Sequence, residues 1–532
     1  MNAGKCYLAE DAYFEPLFNH WYAWPYLLAP ASAARHLVFT HRRIMTSFVN
    51  NYQLHILAAS ESALTGAEFL NCTEEQVKDV RALIEKIDAK CADLINLANA
   101  ITELDERLRA HTSGESLENL YPKVPEALRG YVELCFDMEH HASFRLIEPL
   151  LYKSKYYNKS LQSASFGLLR HDGSRPFVLS TPRFADENHV HVEVDFNAPF
   201  LDALFRARES PLTVSEADRL FGEQTVTGGL PYKALFTEKK PAHPFEPVSE
   251  GVRLRYIGHA GFLVETRDVS IAIDPVIANR CDRFANEVIS FSELPARIDY
   301  VFLTHNHQDH VNFETLLQLR YKIGTIVVPK NNGGALVDPS LRAMLKQLNF
   351  NVIEIDELEE IPVPGGRIVS IPFLGEHGDL SIRSKSAWLV EILGKKVFFG
   401  ADSSNPDTRL YENMSELLSD MDIFCIGMEC VGAPYTWLYG ALHTRPVTKA
   451  IKNSRRLNGS DATQAFAIVN VLRPKQVYIY ALGMEPWYRY FMGINYSENS
   501  KQIVEVKKML NCCESLGVPA ESLYGKRTLV LA

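Results

Sequence analysis

The sequence predicts an α/β chain in two parts. Residues 1–245 read as a helix-rich, mixed α+β N-terminal domain, and residues 246–532 as a second domain in which short strands alternate with helices. Three observations carry this. A charged, proline-rich stretch at 238–247 has the composition of a linker. Before it the apolar pattern is mainly helical, with one long run at heptad spacing. After it, an apolar strand at 299–303 runs into Thr304-His305-Asn306-His307-Gln308-Asp309-His310, which carries three imidazoles and one carboxylate within six residues.

A chain of 532 residues suits two or more domains. Its net charge of −10 argues against a general nucleic-acid binder, which would be basic. Residues 1–6 turn acidic at Glu10 and Asp11 with no apolar core of a leader, and no apolar run is long enough to span a membrane, so neither a signal peptide nor a membrane span is expected. The nine cysteines are odd in number and lack zinc-finger spacing. They read as reduced thiols of a cytoplasmic protein.

In the N-terminal half, Tyr13, Phe14, Phe18, Trp21, Tyr22, Trp24 and Tyr26 form an aromatic cluster, read as core in preference to a dimer interface. A helix is expected from Thr73, where Gln76 completes capping-box spacing. Its seam, Val77, Val80, Ile84, Ile87, Cys91, Leu94, Ala98 and Ile101, ends before Ser113-Gly114. Such a seam serves either a dimer or packing inside its own domain. A second helical segment is expected over 125–151. It holds His140-His141, which as helix neighbours point about 100° apart and make no chelate. Strands are expected at 177–179 and 189–194. In the latter the valines share one face, and His189, His191 and Glu193 share the wet one.

In the C-terminal half, a strand over 252–265 is interrupted by Gly258-His259-Ala260-Gly261. The next, 269–273, runs into Asp274-Pro275. The histidine loop is followed by a helix from Phe313 and a strand at 325–329. A strand at 367–373 leads to Gly375-Glu376-His377-Gly378, one at 396–399 to Gly400-Ala401-Asp402, and one at 423–427 to Met428-Glu429-Cys430. Helices over 446–457 and 461–471 precede a strand at 477–480. In the loop, His305 and His307 can bind one metal ion and Asp309 and His310 another. The mixed nitrogen and oxygen set suits zinc, iron or manganese. So dense a ligand set argues against a merely solvated or helix-capping loop.

This His-x-His-x-Asp-His loop at a strand end resembles the signature of the metallo-β-lactamase superfamily, over about residues 250–532. The resemblance implies an αββα sandwich with two metals at one edge of its sheets. It implies that Asp402 bridges the ions and that Asp274 orients a ligating histidine. Two departures stand out. Where the zinc hydrolases of the superfamily supply a histidine, Glu376 and His377 stand side by side, and in an extended segment only one would reach the metals. Where a last histidine is expected, 481–485 holds none, and His443, the other late histidine, does not match in position. With Glu376 as ligand the set is His305, His307, His310, Asp309, Glu376 and Asp402. That is oxygen-rich, as in non-haem di-iron oxygen activation, with an open position where the last histidine is missing.

The narrower pattern resembles the metallo-β-lactamase-fold di-iron β-hydroxylases that act on amino acids tethered to nonribosomal peptide synthetases. It implies two bridged Fe ions, O2 as co-substrate, and an aminoacyl phosphopantetheine on a peptidyl carrier domain. It also implies an external electron donor and a homodimer built partly by the N-terminal domain. Glu376 and Glu429 are the candidate catalytic carboxylates. A carrier is usually acidic, and Lys449, Lys452, Arg455 and Arg456 make either its dock or a solvated helix face. Two other readings remain at this level. One is a dinuclear zinc hydrolase of esters or phosphodiesters with His377 as ligand. The other is a non-enzymatic assembly module.

Overall fold

A computed structural model describes residues 4–61, 66, 68–170, 175–241, 243–493 and 495–531. Residues 1–3 of the expected leaderless start and Ala242 of the linker lie outside the described residues. Two seven-stranded sheets dominate the C-terminal half. The first runs Val352–Ile355, Ile323–Pro329, Ile298–Phe302, Ser270–Ile273, Gly261–Glu265, Val252–Gly258, Arg527–Leu531. The second runs Glu360–Val363, Gly366–Ile371, Ala387–Ile392, Lys395–Phe399, Ile423–Gly427, Gln476–Tyr480, Ala520–Ser522. The central strands are nearly all apolar, and both their faces are covered, as parallel strands require.

Phe262, Phe302, Trp388, Phe399 and Tyr480 fill the space between the sheets. Helices Ala462–Leu472 and Lys501–Leu516 cover the outer face of the second sheet. On the outer face of the first lie helices Phe313–Leu319 and Leu341–Gln347, and the N-terminal half packs onto that layer in one continuous core. This is the αββα sandwich, carrying a mixed α+β N-terminal half. The parallel strands matter most for the site. Ser270–Ile273 and Ile298–Phe302 in one sheet, and Lys395–Phe399, Ile423–Gly427 and Gln476–Tyr480 in the other, bring their C-terminal ends to one edge.

The N-terminal half departs from expectation in several places. The heptad run is two helices, Val77–Lys90 and Ala92–Arg109, parted at Cys91 (φ −112°, ψ 23°). Thr73 makes only part of a capping box: its N–H donates to Gln76 Oε1 at 2.9 Å, and a turn precedes the helix. The seam residues Val80, Ile87, Leu94, Ala98 and Ile101 are buried within the protomer, so this seam is not a dimer surface. Residues 125–151 are not a helix. They hold the hairpin Val132–Phe136 with Ala142–Leu146, in which alternate residues Val132 and Leu134 are buried. Asp137 accepts the N–H of Glu139 and of His141, a local turn that outcompetes the helix. His140 and His141 lie exposed at its tip. Residues 177–179 form a turn, not a strand, whereas His189–Glu193 is a strand with buried valines. His189 is tied to Tyr13 and Asp186. The aromatic cluster is core throughout. The helix expected over 446–457 spans only Lys449–Ser454.

A buried ion network joins the two halves. Arg175 Nη2 lies 2.9 Å from Glu15 Oε1 on strand Ala12–Phe18, and 2.7 Å from Glu314 Oε2 in the first turn of helix Phe313–Leu319. Its guanidinium stacks 3.4 Å over the Tyr490 ring. Arg183 pairs with the same Glu15. Burial alone would raise the Glu15 carboxyl, but Arg183 and Arg175 outweigh it and hold it at about 2. The folded value lies below the usual carboxylate range, so the pair's stabilisation is complete above about pH 4.5 and is lost as pH falls toward 2. Removing one partner of a buried pair costs about 3–5 kcal/mol. Equilibrium unfolding from pH 7 to pH 2 should therefore show Glu15→Gln destabilised at neutral pH, with the gap to wild type narrowing below pH 4.5. A pH-independent gap would contradict the assignment.

Candidate metal centre

Each side chain of the histidine loop reaches the sheet edge with one ring nitrogen committed to an anchor. His310 Nδ1–H donates to Asp274 Oδ2 at 2.8 Å, and the Thr304 N–H donates to Asp274 Oδ1 at 2.8 Å. The Thr304 hydroxyl donates to the same aspartate, so its oxygen accepts from His305 Nδ1–H at 2.9 Å. Asp274 thus orients the loop, as the resemblance implied. His307 Nε2 lies 2.7 Å from the Tyr439 hydroxyl. These contacts leave His305 Nε2, His307 Nδ1 and His310 Nε2 facing one space.

The carboxylates converge on that space. Glu376 Oε1 is 2.7 Å from His307 Nδ1 and Glu376 Oε2 is 3.7 Å from His305 Nε2. Asp402 Oδ2 is 3.0 Å from His310 Nε2, and Asp309 Oδ2 is 3.7 Å from it. A seventh residue joins them: His259 Nε2 lies 3.0 Å from Asp309 Oδ2. Three overlapping sets each bring their ligand atoms within 4.8 Å of one another: His305, His307 and Glu376; His305, His310 and Asp402; His259, Asp309 and His310.

Several of these atoms lack partners. His305 Nε2, Glu376 Oε2 and Asp402 Oδ1 are buried without a hydrogen bond. An unsatisfied lone pair costs about 1–3 kcal/mol each, so three side by side fit a bound cation far better than an empty core. Burial, then the neighbouring imidazoles, drive His305 well below its usual range and leave it neutral with a free lone pair. Burial raises Glu376, partly offset by His307. Asp309 is held below the usual carboxylate range despite burial, because His310 and His259 face it. Glu429 is pushed far above that range by desolvation first and then by Asp402, Asp309 and Glu376.

The backbone is bent to achieve this. His259 (φ 48°), Asp274 (φ 38°), Glu376 (φ 70°) and Ala401 (φ 48°) all adopt the left-handed conformation, which costs a non-glycine residue about 1–3 kcal/mol. Gly375 (φ 78°) precedes Glu376, and a Cβ there would stand 1.8 Å from Ser404 Oγ. The segment is therefore not extended, and the expected alternation of Glu376 and His377 does not apply. Glu376 enters the cluster, while His377, whose Nδ1 lies 3.0 Å from Glu376 Oε2 and 3.4 Å from the Gly375 carbonyl, belongs to none of the three ligand sets. His443 lies apart, edge-on to Tyr435.

Residues 481–485 hold no histidine, but one from elsewhere in the chain stands beside them. The Ala481 N–H donates to the His259 carbonyl at 3.0 Å, so the bulge between strands Val252–Gly258 and Gly261–Glu265 supplies a histidine beside that strand end. Sequence reasoning missed His259. The signal was present as a histidine between two glycines that break a strand. It also missed Tyr439, and it missed that the supposed strand 177–179 contributes Phe177 and Leu179 to the wall of a cleft. That cleft holds about 60 Å³ above Asp309, Glu376, Asp402 and Glu429.

Among the described residues no helix is long and apolar enough to cross a membrane. Residues 7–241 match the family model for the diiron non-heme beta-hydroxylase N-terminal domain, and residues 270–463 match that for the beta-lactamase superfamily domain. The chain is 36% identical to the 4-amino-L-phenylalanyl-CmlP-peptidyl-carrier-protein 3-hydroxylase of Streptomyces venezuelae, over 98% of this chain and 99% of that protein. The crystal structure of CmlA, a diiron beta-hydroxylase from Streptomyces venezuelae, superposes with a TM-score of 0.90 at 35% identity, covering 99% of each chain. A point variant of that enzyme superposes with a TM-score of 0.88, covering 99% of this chain and 100% of the other. With its fold, its cluster of ligand-type side chains and this near full-length similarity, the chain belongs to the non-haem di-iron β-hydroxylases, enzymes built on a metallo-β-lactamase fold.

Proposed function

We propose that the chain uses O2 to hydroxylate the β-carbon of an aminoacyl thioester carried on the phosphopantetheine arm of a peptidyl carrier domain. The reaction consumes one O2, two electrons from an external donor and two protons, and yields the β-hydroxyl group and water. The observation that carries the reading is Glu376: a buried carboxylate, one oxygen of which makes no hydrogen bond, stands in the ligand cluster, whereas His377, with Nδ1 3.0 Å from that oxygen, belongs to none of the three ligand sets. A zinc hydrolase would use the histidine. The carrier-bound substrate is supported by the name of the Streptomyces venezuelae relative, which matches almost end to end.

His305, His307 and Glu376 would hold one iron, His259, Asp309 and His310 the other, with Asp402 between the two sets. Four imidazoles and three carboxylates make a harder site than the usual zinc pair. When bound, the iron pair supplies the redox chemistry for O2 reduction and hydrogen abstraction. The protein's own work is positional. Asp274 and Thr304 fix the tautomers of His310 and His305, and Tyr439 braces His307. Phe177, Leu179, Leu438 and Phe491 keep bulk water from the cleft. Glu429 stands at the cleft wall with Asp309, Glu376 and Asp402, placed to pass a proton. A homodimer is proposed through the N-terminal half, where Leu54 and Leu57 are 59% and 62% exposed on helix Arg43–Ser60. Cys6, Cys72, Cys91, Cys425, Cys430 and Cys513 are buried, and thiols kept in the core suit a reducing cytoplasm.

Three outcomes are expected. Iron-loaded enzyme given reductant, O2 and a panel of aminoacyl carrier proteins should add one oxygen atom to one of them by mass spectrometry. Hydrolysis of an ester or phosphodiester panel with no such gain would contradict the proposal. His259→Ala should retain about one iron per chain where wild type retains about two. Unchanged iron content would remove His259 from the ligand set. Glu429→Gln should keep its iron and lose turnover by roughly 100-fold, the usual scale of one proton-transfer group. Undiminished turnover would show that Glu429 only packs.

A further inference from the structure

The metal cleft does not end at its apolar wall. Trp437 lines the cleft and also lines a groove beyond it. The groove consists of two adjoining hollows of about 500 Å³ each, both bounded by Thr436, Trp437, Val447 and Lys452. Gly66 sits flat against the indole, where a Cβ would stand 2.2 Å from Cζ2 of Trp437, so the ring is seated between groove and cleft.

The groove is rimmed by cations of two kinds. Some are committed to the fold. Arg35 donates to the carbonyls of Ala98, Ala441 and His443, and Lys452 pairs with Glu68 at 3.2 Å. Arg455 and Arg456, which the sequence groups with the two lysines, donate to the carbonyls of Gly378 and Gly432. Arg455 also stacks 4.5 Å from the Tyr435 ring. The basic cluster therefore divides. Three exposed cations, Arg43, Arg445 and Lys449, line the hollows; Arg43 Nε donates to the Phe39 carbonyl at 3.0 Å, and none of the three forms an ion pair with a described carboxylate. In a chain of net charge −10, unpaired positive charge gathered at one groove calls for an anionic occupant. Thr436 lies along the same wall, and Trp437 and Val447 offer apolar contact.

We propose that this groove binds the phosphodiester end of the phosphopantetheine arm through Arg43, Arg445 and Lys449, with the thioester end passing Trp437 into the metal cleft. The proposal rests on the carrier-bound substrate reading. An arm of this kind is anionic at one end, amide-rich along its length and reactive at the other. The groove presents cations, apolar contact and, through Trp437, a shared wall with the cleft.

The test is direct binding by isothermal titration calorimetry, which does not depend on turnover. Full-length, iron-loaded protein should bind phosphopantetheine at least about tenfold more tightly than pantetheine, roughly the contribution of one hydrogen bond to a charged group. In R445A/K449A that preference should fall to about one, with the melting temperature unchanged because both side chains are exposed. Wild type that shows no preference, or a double variant that keeps it, would overturn the proposal. So would inorganic phosphate that competes as well as phosphopantetheine, since the groove would then hold only an anion. Hydroxylation of aminoacyl carriers, measured separately, reads the substrate proposal itself: wild type that hydroxylates yet shows no binding preference condemns the groove alone.

Discussion

Seven ionisable side chains gathered in the dry edge of a sandwich are unstable unless something positive lies among them. This constraint organises the structure. His305 Nε2, Glu376 Oε2 and Asp402 Oδ1 make no hydrogen bond, and a cation among them would satisfy all three at once. Around them the protein is arranged to hold that geometry. Asp274 and Thr304 lock two imidazoles, and four strand ends turn through left-handed backbone to aim their side chains inward. Strain of this kind persists only where the surroundings over-determine it. Here the two sheets do so by delivering parallel strand ends to one edge.

The N-terminal half is part of the same constraint. Its strand Ala12–Phe18 sends Glu15 to Arg175, and Arg175 grips Glu314 one turn after the histidine loop. Tyr22 and Tyr490 donate to the same Glu314, and Asn306 inside the loop donates to the Tyr26 hydroxyl. The aromatic cluster of residues 13–28 therefore both fills a core and braces the metal loop. The hydrophobic core runs without interruption from Phe14 to Phe313 and Leu316. Metal loss and unfolding of the N-terminal half should accordingly be coupled, because the same side chains support both.

Much of this was legible in the sequence because the signals were local. Ligands within six residues of a strand end, and Asp402 after an apolar strand, announce a metal edge without tertiary knowledge. His259 was not legible in the same way. It lies far from the loop in sequence, and only the pairing of strands Val252–Gly258 and Gly261–Glu265 brings it beside Ala481. Glu376 enters the cluster through a left-handed turn, which the alternation of an extended segment could not foresee. The hairpin Val132–Phe136 with Ala142–Leu146 was hidden because an Asp137 turn overrode a pattern that also fits a helix. The basic cluster of 449–456 could be divided only once Arg455 and Arg456 were seen donating to carbonyls.

The central claim is that this donor set holds two irons. Metal analysis with an optical spectrum, on protein expressed in medium containing both iron and zinc, tests it most directly. The structure predicts about two irons per chain with bridged diferric absorption in the near ultraviolet. Two zincs per chain and no such absorption, with iron plentiful, would contradict it.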